Sequence, residues 1–486
     1  MDSLKICFVS SEIVPFAKTG GLADVSGALG KYLHEEGHDI RLIIPLYSSI
    51  DLKSQDFRII KSMQNLELWF GGVKKVYSVF TAKLPKTHAD VYFIHCPSLF
   101  DRSAIYTDDA DEHIRFALLA RASLEICQRM QWAPDILHCN DWQTALIPAY
   151  LKSVYAWDKL FEHTKTVLTI HNIGYQGIFA ADKVGELGLT EYSNLFDKDD
   201  LNSGQVNFLK TGITHTDKIT TVSRTYAEEI QTEFLGEGLN QLLQSRQKDL
   251  VGILNGVDYD EWDPDTDKLI PYKYSESDLS GKEKNKIELL SRMKLKYNPE
   301  IPVAGIVSRL AEQKGIELLF SSLPFLLENY DIQFVVLGNG QAVYEKFFED
   351  TRNKFPAKVA FFKGYNNELA HLIEAGADMF VMPSRYEPCG LNQIYSLKYG
   401  TVPVVRKTGG LADTVELYDR PTGTGTGFVF EHYASDALTW SLTFAIETFR
   451  QKNAWKKLML NGMKKNYSWE IQSHKYVDLY RELLEL

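Results

Sequence analysis

Seven residues occur twice in this chain, as Lys18-Thr19-Gly20-Gly21-Leu22-Ala23-Asp24 and as Lys407-Thr408-Gly409-Gly410-Leu411-Ala412-Asp413. Each copy follows a short apolar run that reads as a buried strand and leads into a helical pattern. A Gly-Gly pair at a strand-to-helix turn belongs to a wound α/β sheet, and the copies lie too far apart for a solenoid. Two α/β halves are therefore expected. At 486 residues the chain is also too long for one comfortable core.

The strand and helix pattern agrees. Lys5–Ser10 and Asp39–Pro45 read as strands around a helix over Leu22–Glu36. Phe57–Ile60, Val73–Leu84 and Asp90–Ile94 follow one another with no helix between, which predicts an antiparallel insertion on a parallel sheet. After a long helix over Glu112–Met130 come Asp135–His138, Thr166–Ile170, Lys218–Val222 and Leu250–Leu254. The second half restarts with Pro302–Val307, Ile332–Leu337, Lys358–Phe362, Asp378–Met382 and Thr401–Val405. Asp258–Lys286, rich in charge, reads as a solvated connector, so the boundary is placed within Asn255–Pro299. The expected domains are 1–255 and 256–467, both Rossmann-like and doubly wound.

Charge and cysteine narrow the function. The formal net charge is −11, which disfavours nucleic-acid and anionic-membrane partners. Five scattered cysteines without a CxxC pair point to a reducing compartment. No apolar run approaches the length of a membrane span, and Met1–Lys5 leads into a strand rather than a signal-peptide segment. Cytoplasmic residence is the expectation.

Several turns carry chemistry. Gly20-Gly21 and Gly409-Gly410 let main-chain N–H groups at a helix start approach an anion, with Lys18 and Lys407 adding charge; the glycines would equally serve only to end a tight turn. Arg309 and Lys314, in Ser308-Arg309-Leu310-Ala311-Glu312-Gln313-Lys314-Gly315, suit a departing phosphate, or a solvated helix start. Glu387, in Ser384-Arg385-Tyr386-Glu387-Pro388-Cys389-Gly390-Leu391, could bind sugar hydroxyls, stabilise a cationic anomeric carbon, or serve a helix N-terminus. His171-Asn172-Ile173-Gly174-Tyr175-Gln176-Gly177 offers further sugar-binding groups, and Asp141 either a ligand contact or a helix cap. Gly338-Asn339-Gly340 lacks the third glycine of a dinucleotide fingerprint. Asp263-Pro264-Asp265 and Asp265-Thr266-Asp267 lie in the polar connector, so no catalytic metal and no cofactor is expected. Gly423–Gly427 reads as a mobile loop.

Together, Lys18–Asp24, His171–Gly177, Asn255-Gly256-Val257-Asp258, Arg309 with Lys314, and Glu387–Leu391 closely resemble bacterial glycogen synthases and plant starch synthases over nearly the whole chain. The resemblance implies the GT-B fold, two Rossmann-like domains facing an interdomain cleft, with a C-terminal helix near 468–486 returning to the first domain. It implies retaining, metal-independent transfer of glucose from ADP-glucose to an α-1,4-glucan. It places Lys18, Gly20, Gly21 and Asp24 in the donor-loop motif, Arg309 and Lys314 at the departing ADP, and His171, Asn255 and Glu387 at the glucosyl unit. By the same resemblance Asp141 lies near the acceptor, Tyr365 beside the adenine, Cys389, Gly390 and Leu391 in the Glu387 motif, and Thr408, Gly409 and Gly410 at the phosphates. Tyr395 replaces a carboxylate that many related enzymes carry eight residues after the first, and Gln143 and Gly174 stand where many relatives have His and Ala. A transferase using UDP-glucose or a small-sugar acceptor, and an inactive glucan-binding paralogue, are the competing readings.

Overall fold

A computed structural model describes residues 3–53 and 56–485; Met1, Asp2 and Leu486, which end the segments named above, lie outside them. The chain divides into two compact units: residues up to Val222 with Ala227–Gly256 and the stretch from Trp469 on, and Ser223–Tyr226 with Val257–Ser468.

Among the described residues of the first unit ten strands form one sheet: β1 (Lys5–Val9), β2 (Asp39–Pro45), β3 (Arg58–Ile59), β4 (Leu66–Phe70), β5 (Val73–Lys83), β6 (Asp90–His95), β7 (Ile136–Asn140), β8 (Lys165–Ile170) and two later strands. After β8 a separate ribbon pairs β9 (Ile178–Ala180) with β10 (Gln205–Asn207). The last two sheet strands are β11 (Lys218–Thr221) and β12 (Leu250–Gly252). Spatial order is β12-β11-β8-β7-β1-β2-β6-β5-β3, with β4 on β5. Every pair from β12 to β6 is parallel, whereas β3 and β4 pair antiparallel to β5 and β5 to β6, forming the insertion. The fully buried pattern of β1 and β7, Ile6 to Val9 and Ile136 to Asn140, is what a strand covered on both faces requires.

The helix Trp469–Leu483 packs against the helix Gly21–Glu35 of this unit. A buried relay fastens it: Tyr480 Oη lies 2.6 Å from His138 Nδ1, His138 Nε2 lies 2.6 Å from Thr169 Oγ1, and Thr169 Oγ1 lies 2.5 Å from Thr220 Oγ1. Burial lowers the His138 pKa to about 3, so the imidazole is neutral and serves one donor and one acceptor role.

The second unit holds six parallel strands, β13 (Val303–Leu310), β14 (Gln333–Gly340), β15 (Val359–Lys363), β16 (Met379–Met382), β17 (Val402–Arg406) and β18 (Phe428–Phe430), in the order β15-β14-β13-β16-β17-β18. Counted from its first strand this is 3-2-1-4-5-6, the doubly wound order, and β6-β2-β1-β7-β8-β11 repeats it in the first unit.

Three expectations need correction. Asp258–Lys286 is not a solvated connector: Asp267, Ile270, Tyr274 and Lys282 are buried, and Ile270 and Tyr274 join Ala375, Tyr399 and Met463 in a small core. Charge density misled because the acids are partnered; Asp267 accepts from Tyr399 Oη at 2.6 Å and lies 2.8 Å from His371 Nδ1. Gly423–Gly427 is not a free loop, since Asn461 Nδ2 donates to Gly423 O at 3.1 Å and Gly425 O at 2.9 Å. The strands β4, β9, β10 and β18 had no counterpart in the sequence reading.

Candidate functional site

In a doubly wound sheet, ligands bind where adjacent connections leave in opposite directions beyond the strand ends. In the first unit that point lies between β1 and β7. The loop after β1 carries the first heptapeptide, and β7 runs directly into Asp141.

Glu12, which the sequence reading missed, organises the first of these loops. It is only 2% exposed. Its Oε2 accepts from the N–H groups of Thr19 and Gly20, the latter at 3.1 Å. Its Oε1 accepts from Thr19 Oγ1 and Tyr106 Oη, each at 2.6 Å. Of the Gly20-Gly21 pair expected to face an anion, the Gly20 N–H is thus engaged, with that of Thr19, by a carboxylate of the chain itself. A Cβ built on Gly20 or Gly21 would meet nothing within 4 Å, so the outer side of the turn is open. Lys18 Nζ sits 2.7 Å from Asp24 Oδ1, where burial raises the Asp24 pKa against the pull of the lysine. Glu12 directly follows Ser10-Ser11 after β1, and a single acid there carries no sequence signal.

Asp141 adopts φ +54°, a left-handed conformation uncommon outside glycine. It does not cap its helix by its side chain. Its Oδ1 instead accepts from the His171 N–H at 2.7 Å and the Asn172 N–H at 3.4 Å, and burial pushes its carboxyl up to about 7. His171 Nε2 lies 2.9 Å from Asn140 Oδ1, while Asn140 Nδ2 donates to Val9 O at 3.0 Å. That fixes the amide oxygen as acceptor and makes Nε2 the protonated nitrogen of His171, leaving Nδ1 as an acceptor. Burial lowers the His171 pKa to about 3, so the ring is neutral. Asn255 is buried, and its Oδ1 has no hydrogen-bond partner among the described residues. Gln176, considered as a sugar ligand, is spent on Ile173 O, Glu237 O and Asn207 Nδ2.

In the second unit the switch point lies between β13 and β16, and Arg309–Lys314 and Ser384–Leu391 follow those two strands. Lys314 Nζ is 2.6 Å from Glu387 Oε2, and Ser384 Oγ donates to the same oxygen at 3.0 Å. Glu387 is 5% exposed, and its Oε1 makes no hydrogen bond to the described residues, so one carboxylate oxygen is anchored and the other is unspent. The two loops touch because Gly315, at φ +66°, has no side chain; a Cβ there would lie 2.0 Å from Pro383 O. Arg309 is exposed and without an ion-pair partner among the described residues. Tyr365 is 76% exposed on the loop after β15, its hydroxyl donating to Asn367 Oδ1 at 2.9 Å.

The second heptapeptide follows β17 rather than the first strand. A Cβ on Gly409 would lie 1.9 Å from Glu387 O, and one on Gly410 1.9 Å from Cys389 O. The Gly410 N–H also donates to Glu387 O at 3.1 Å. Thr408, Gly409 and Gly410 are buried under the Glu387 turn, whose Cys389 and Gly390 carbonyls accept from Gln393 Nε2 at 3.1 and 3.0 Å. Leu391 occupies the N-cap position of the following helix, Asn392–Lys398, without a side-chain cap. Lys407 points to solvent and pairs with Glu431 at 2.7 Å. Tyr395 stacks on Trp262 with ring centroids 3.8 Å apart, and Trp262 stacks in turn on His371 at 3.7 Å. The position of the second carboxylate in related enzymes is therefore occupied by an aromatic stack.

Two parallel α/β units, each with polar loops at its switch point, one presenting cationic groups beside a buried carboxylate, are the architecture of a GT-B glycosyltransferase, the class to which the family and structural matches assign the chain. Residues 5–245 match the starch synthase catalytic domain family and residues 290–458 the glycosyl transferases group 1 family. The chain is 44% identical over 485 residues to a glycogen synthase of Thermotoga maritima, covering 99% of both, and 44% identical over 484 residues to one of Koribacter versatilis, covering 99% and 98%. The structure of the catalytic domain of starch synthase IV from Arabidopsis thaliana, bound to ADP and acarbose, superposes with a TM-score of 0.91 at 33% identity over the full length of both chains. This chain belongs to the glycogen and starch synthase family.

Proposed function

We propose that the protein transfers glucose from ADP-glucose to the non-reducing end of an α-1,4-glucan, with retention at the anomeric carbon and release of ADP. The observation that carries this reading is the Lys314–Glu387–Ser384 cluster with Arg309, exposed and unpaired among the described residues, beyond the β13 and β16 ends, in a chain so similar along its whole length to glycogen synthases. Breaking a glycosyl–phosphate bond creates a cationic anomeric centre and a diphosphate anion together. Arg309 and Lys314 supply two positive charges for the anion. Glu387, half anchored by Lys314 and Ser384, keeps Oε1 for the glucosyl unit. Neutral His171 offers Nδ1, and Asn255 its unpartnered Oδ1, to sugar hydroxyls.

Lys18 and the open side of Gly20-Gly21 serve the donor diphosphate, Asp24 steadying Lys18. Asp141 acts on the acceptor side by holding the His171–Asn172 main chain, and Tyr365 lies beside the adenine. Thr408, Gly409 and Gly410, with Cys389 to Leu391, work through the shape of the Glu387 turn. With a stacked Tyr395 rather than a carboxylate eight residues after Glu387, attack by the glucan hydroxyl on the face the phosphate leaves is favoured. The residues 1–255 and 256–467 act as acceptor-side and nucleotide-sugar domains in a cytoplasmic enzyme. Among the described residues no helix is long and apolar enough to cross a membrane.

The test is nucleotide release from ADP-glucose and UDP-glucose in parallel, with glycogen and excess chelator, comparing the parent with Glu387→Ala. Glucan-dependent ADP release that persists with chelator and falls by roughly 10²–10³ in the variant is expected. Preferential use of UDP-glucose would overturn the donor assignment, and absence of release would overturn the enzymatic one.

A further inference from the structure

Glu12 belongs to none of the groups assigned above, yet it is the most heavily bonded carboxylate near the first heptapeptide. Its two oxygens are divided by chemistry. Oε2 takes two main-chain N–H groups, of Thr19 and Gly20, which can only donate. Oε1 takes two hydroxyls, of Thr19 and Tyr106, which can donate or accept. The Tyr106 hydroxyl also lies 2.8 Å from Ser11 Oγ, and Ser10 Oγ donates to the Glu12 main-chain carbonyl at 2.8 Å, so Tyr106 and the Glu12 backbone are themselves held. Glu12 makes no ion pair to a described lysine or arginine.

We infer that Glu12 is a positioning residue for the donor: by holding the Thr19 and Gly20 N–H groups inward, with Tyr106, it fixes the turn that presents Lys18 and the open face of Gly20-Gly21 to a nucleoside diphosphate. This rests on the reading of that turn as the donor loop. The turn N–H groups of Thr19 and Gly20 are scaffold, and the diphosphate is met by the lysine and by the start of the helix Gly21–Glu35, whose first N–H groups have no side-chain cap. The bonds, not the charge, do the positioning, because a negative charge at this place repels the very ligand the loop serves.

The division of labour between the two oxygens makes this testable with an isosteric variant. In Glu12→Gln the amide oxygen can keep both N–H groups while its NH₂ donates to the Thr19 and Tyr106 hydroxyls, which turn round to accept. In Glu12→Ala all four bonds are lost. The experiment measures steady-state kinetics with ADP-glucose and glycogen varied separately, ADP affinity by calorimetry and thermal midpoint, for the parent, Glu12→Ala, Glu12→Gln and Lys18→Ala. Expected are a KM for ADP-glucose raised at least tenfold in Glu12→Ala with KM for glycogen within about twofold, and a recovery in Glu12→Gln to within about threefold of the parent with ADP bound no more weakly. If Glu12→Ala lowers the thermal midpoint but leaves the donor KM where it was, the role is structural and the inference fails. Equal impairment in Glu12→Gln and Glu12→Ala would also overturn it, by making the charge the essential feature. Lys18→Ala separates the two levels: an unmoved donor KM there defeats the donor-loop reading, whereas a raised one beside an unaffected Glu12→Ala defeats only the positioning of the loop by Glu12. Should Glu12→Ala not fold, Tyr106→Phe, which removes one of the four bonds, is expected to raise the donor KM about threefold, and no change would count against the proposal.

Discussion

The two copies of Lys-Thr-Gly-Gly-Leu-Ala-Asp have the same sequence and opposite surroundings. The first follows strand one of its sheet, at the switch point, with nothing within 4 Å of a Cβ on either glycine and a lysine at hand. The second follows strand five, and both its glycines press against the main chain of Glu387 to Cys389. In the first copy the missing side chains leave open space, and in the second they leave room for the protein's own Glu387 turn. Identity of sequence thus fixes the local strand-to-helix turn in both places, but what the turn is for depends on which strand precedes it.

The largest difference is expected at the glycines. Gly410→Ala would bring a methyl group within 1.9 Å of Cys389 O, a main-chain atom that cannot swing aside. Relief requires the Glu387 turn to move, so kcat should fall at least a hundredfold, with a stability loss of about 1–3 kcal/mol from overpacking. Gly21→Ala, with nothing within 4 Å, should leave stability within about 0.5 kcal/mol and alter chiefly the donor KM. Kinetics and calorimetry on the pair decide it; comparable loss of stability in both variants would erase the contrast.

This contrast also shows what could be read from the chain. The parallel strands were legible because a strand buried on both faces is a continuous apolar run. The short edge strand Phe428–Phe430 and the hairpin strand Leu66–Phe70 were not, the one too short and the other half exposed. Lys314 and Glu387 were legible as residue types after strands, but their 2.6 Å contact, created by the bare Gly315, was not. Glu12 escaped because a single acid after a strand carries no pattern; its role appears only when the chain folds Thr19, Gly20 and Tyr106 around it. The connector escaped for the converse reason, since Asp267 looks solvated until His371 and Tyr399 close on it.

The lysines give a second, smaller contrast. Lys407 is 56% exposed at its side chain and paired with a more exposed Glu431, an arrangement of little energetic weight. Lys407→Ala should change kcat/KM by less than twofold. Lys18→Ala should lower kcat/KM for ADP-glucose by tenfold or more, and the gap between the two should narrow as salt screens the first charge. Equal effects of both substitutions would restore a symmetric role for the two copies.

The first copy also lies in a unit with a titrating neighbour. The Asp141 pKa is raised to about 7 by burial, so the folded protein holds a proton there that the unfolded chain has released above about 4. Its contribution to stability is present at low pH and lost as pH rises through about 7. Asp141→Asn keeps an acceptor for the His171 and Asn172 N–H groups and removes the titration. Its thermal midpoint relative to the parent should therefore rise between pH 5 and pH 8, and a difference independent of pH would show that Asp141 does not ionise across this range.

The smallest contrast lies at the two aspartates that end the repeat. Asp413 accepts from the Thr225 N–H at 3.1 Å and from Thr225 Oγ1 at 2.6 Å, satisfying a donor in the first turn of the helix Arg224–Glu229. Asp24 instead pairs with a half-exposed lysine, and its own burial works against its charge. Asp413→Ala should cost about 1 kcal/mol, as the loss of a helix cap does, with donor KM unchanged. Asp24→Ala should leave stability within about 0.5 kcal/mol and act, if the first copy is the donor loop, on the KM for ADP-glucose through the freed Lys18. The same letter of the repeat would then read out in calorimetry at one end of the chain and in kinetics at the other, and a stability loss of similar size in both variants would mean that Asp24 too is scaffold.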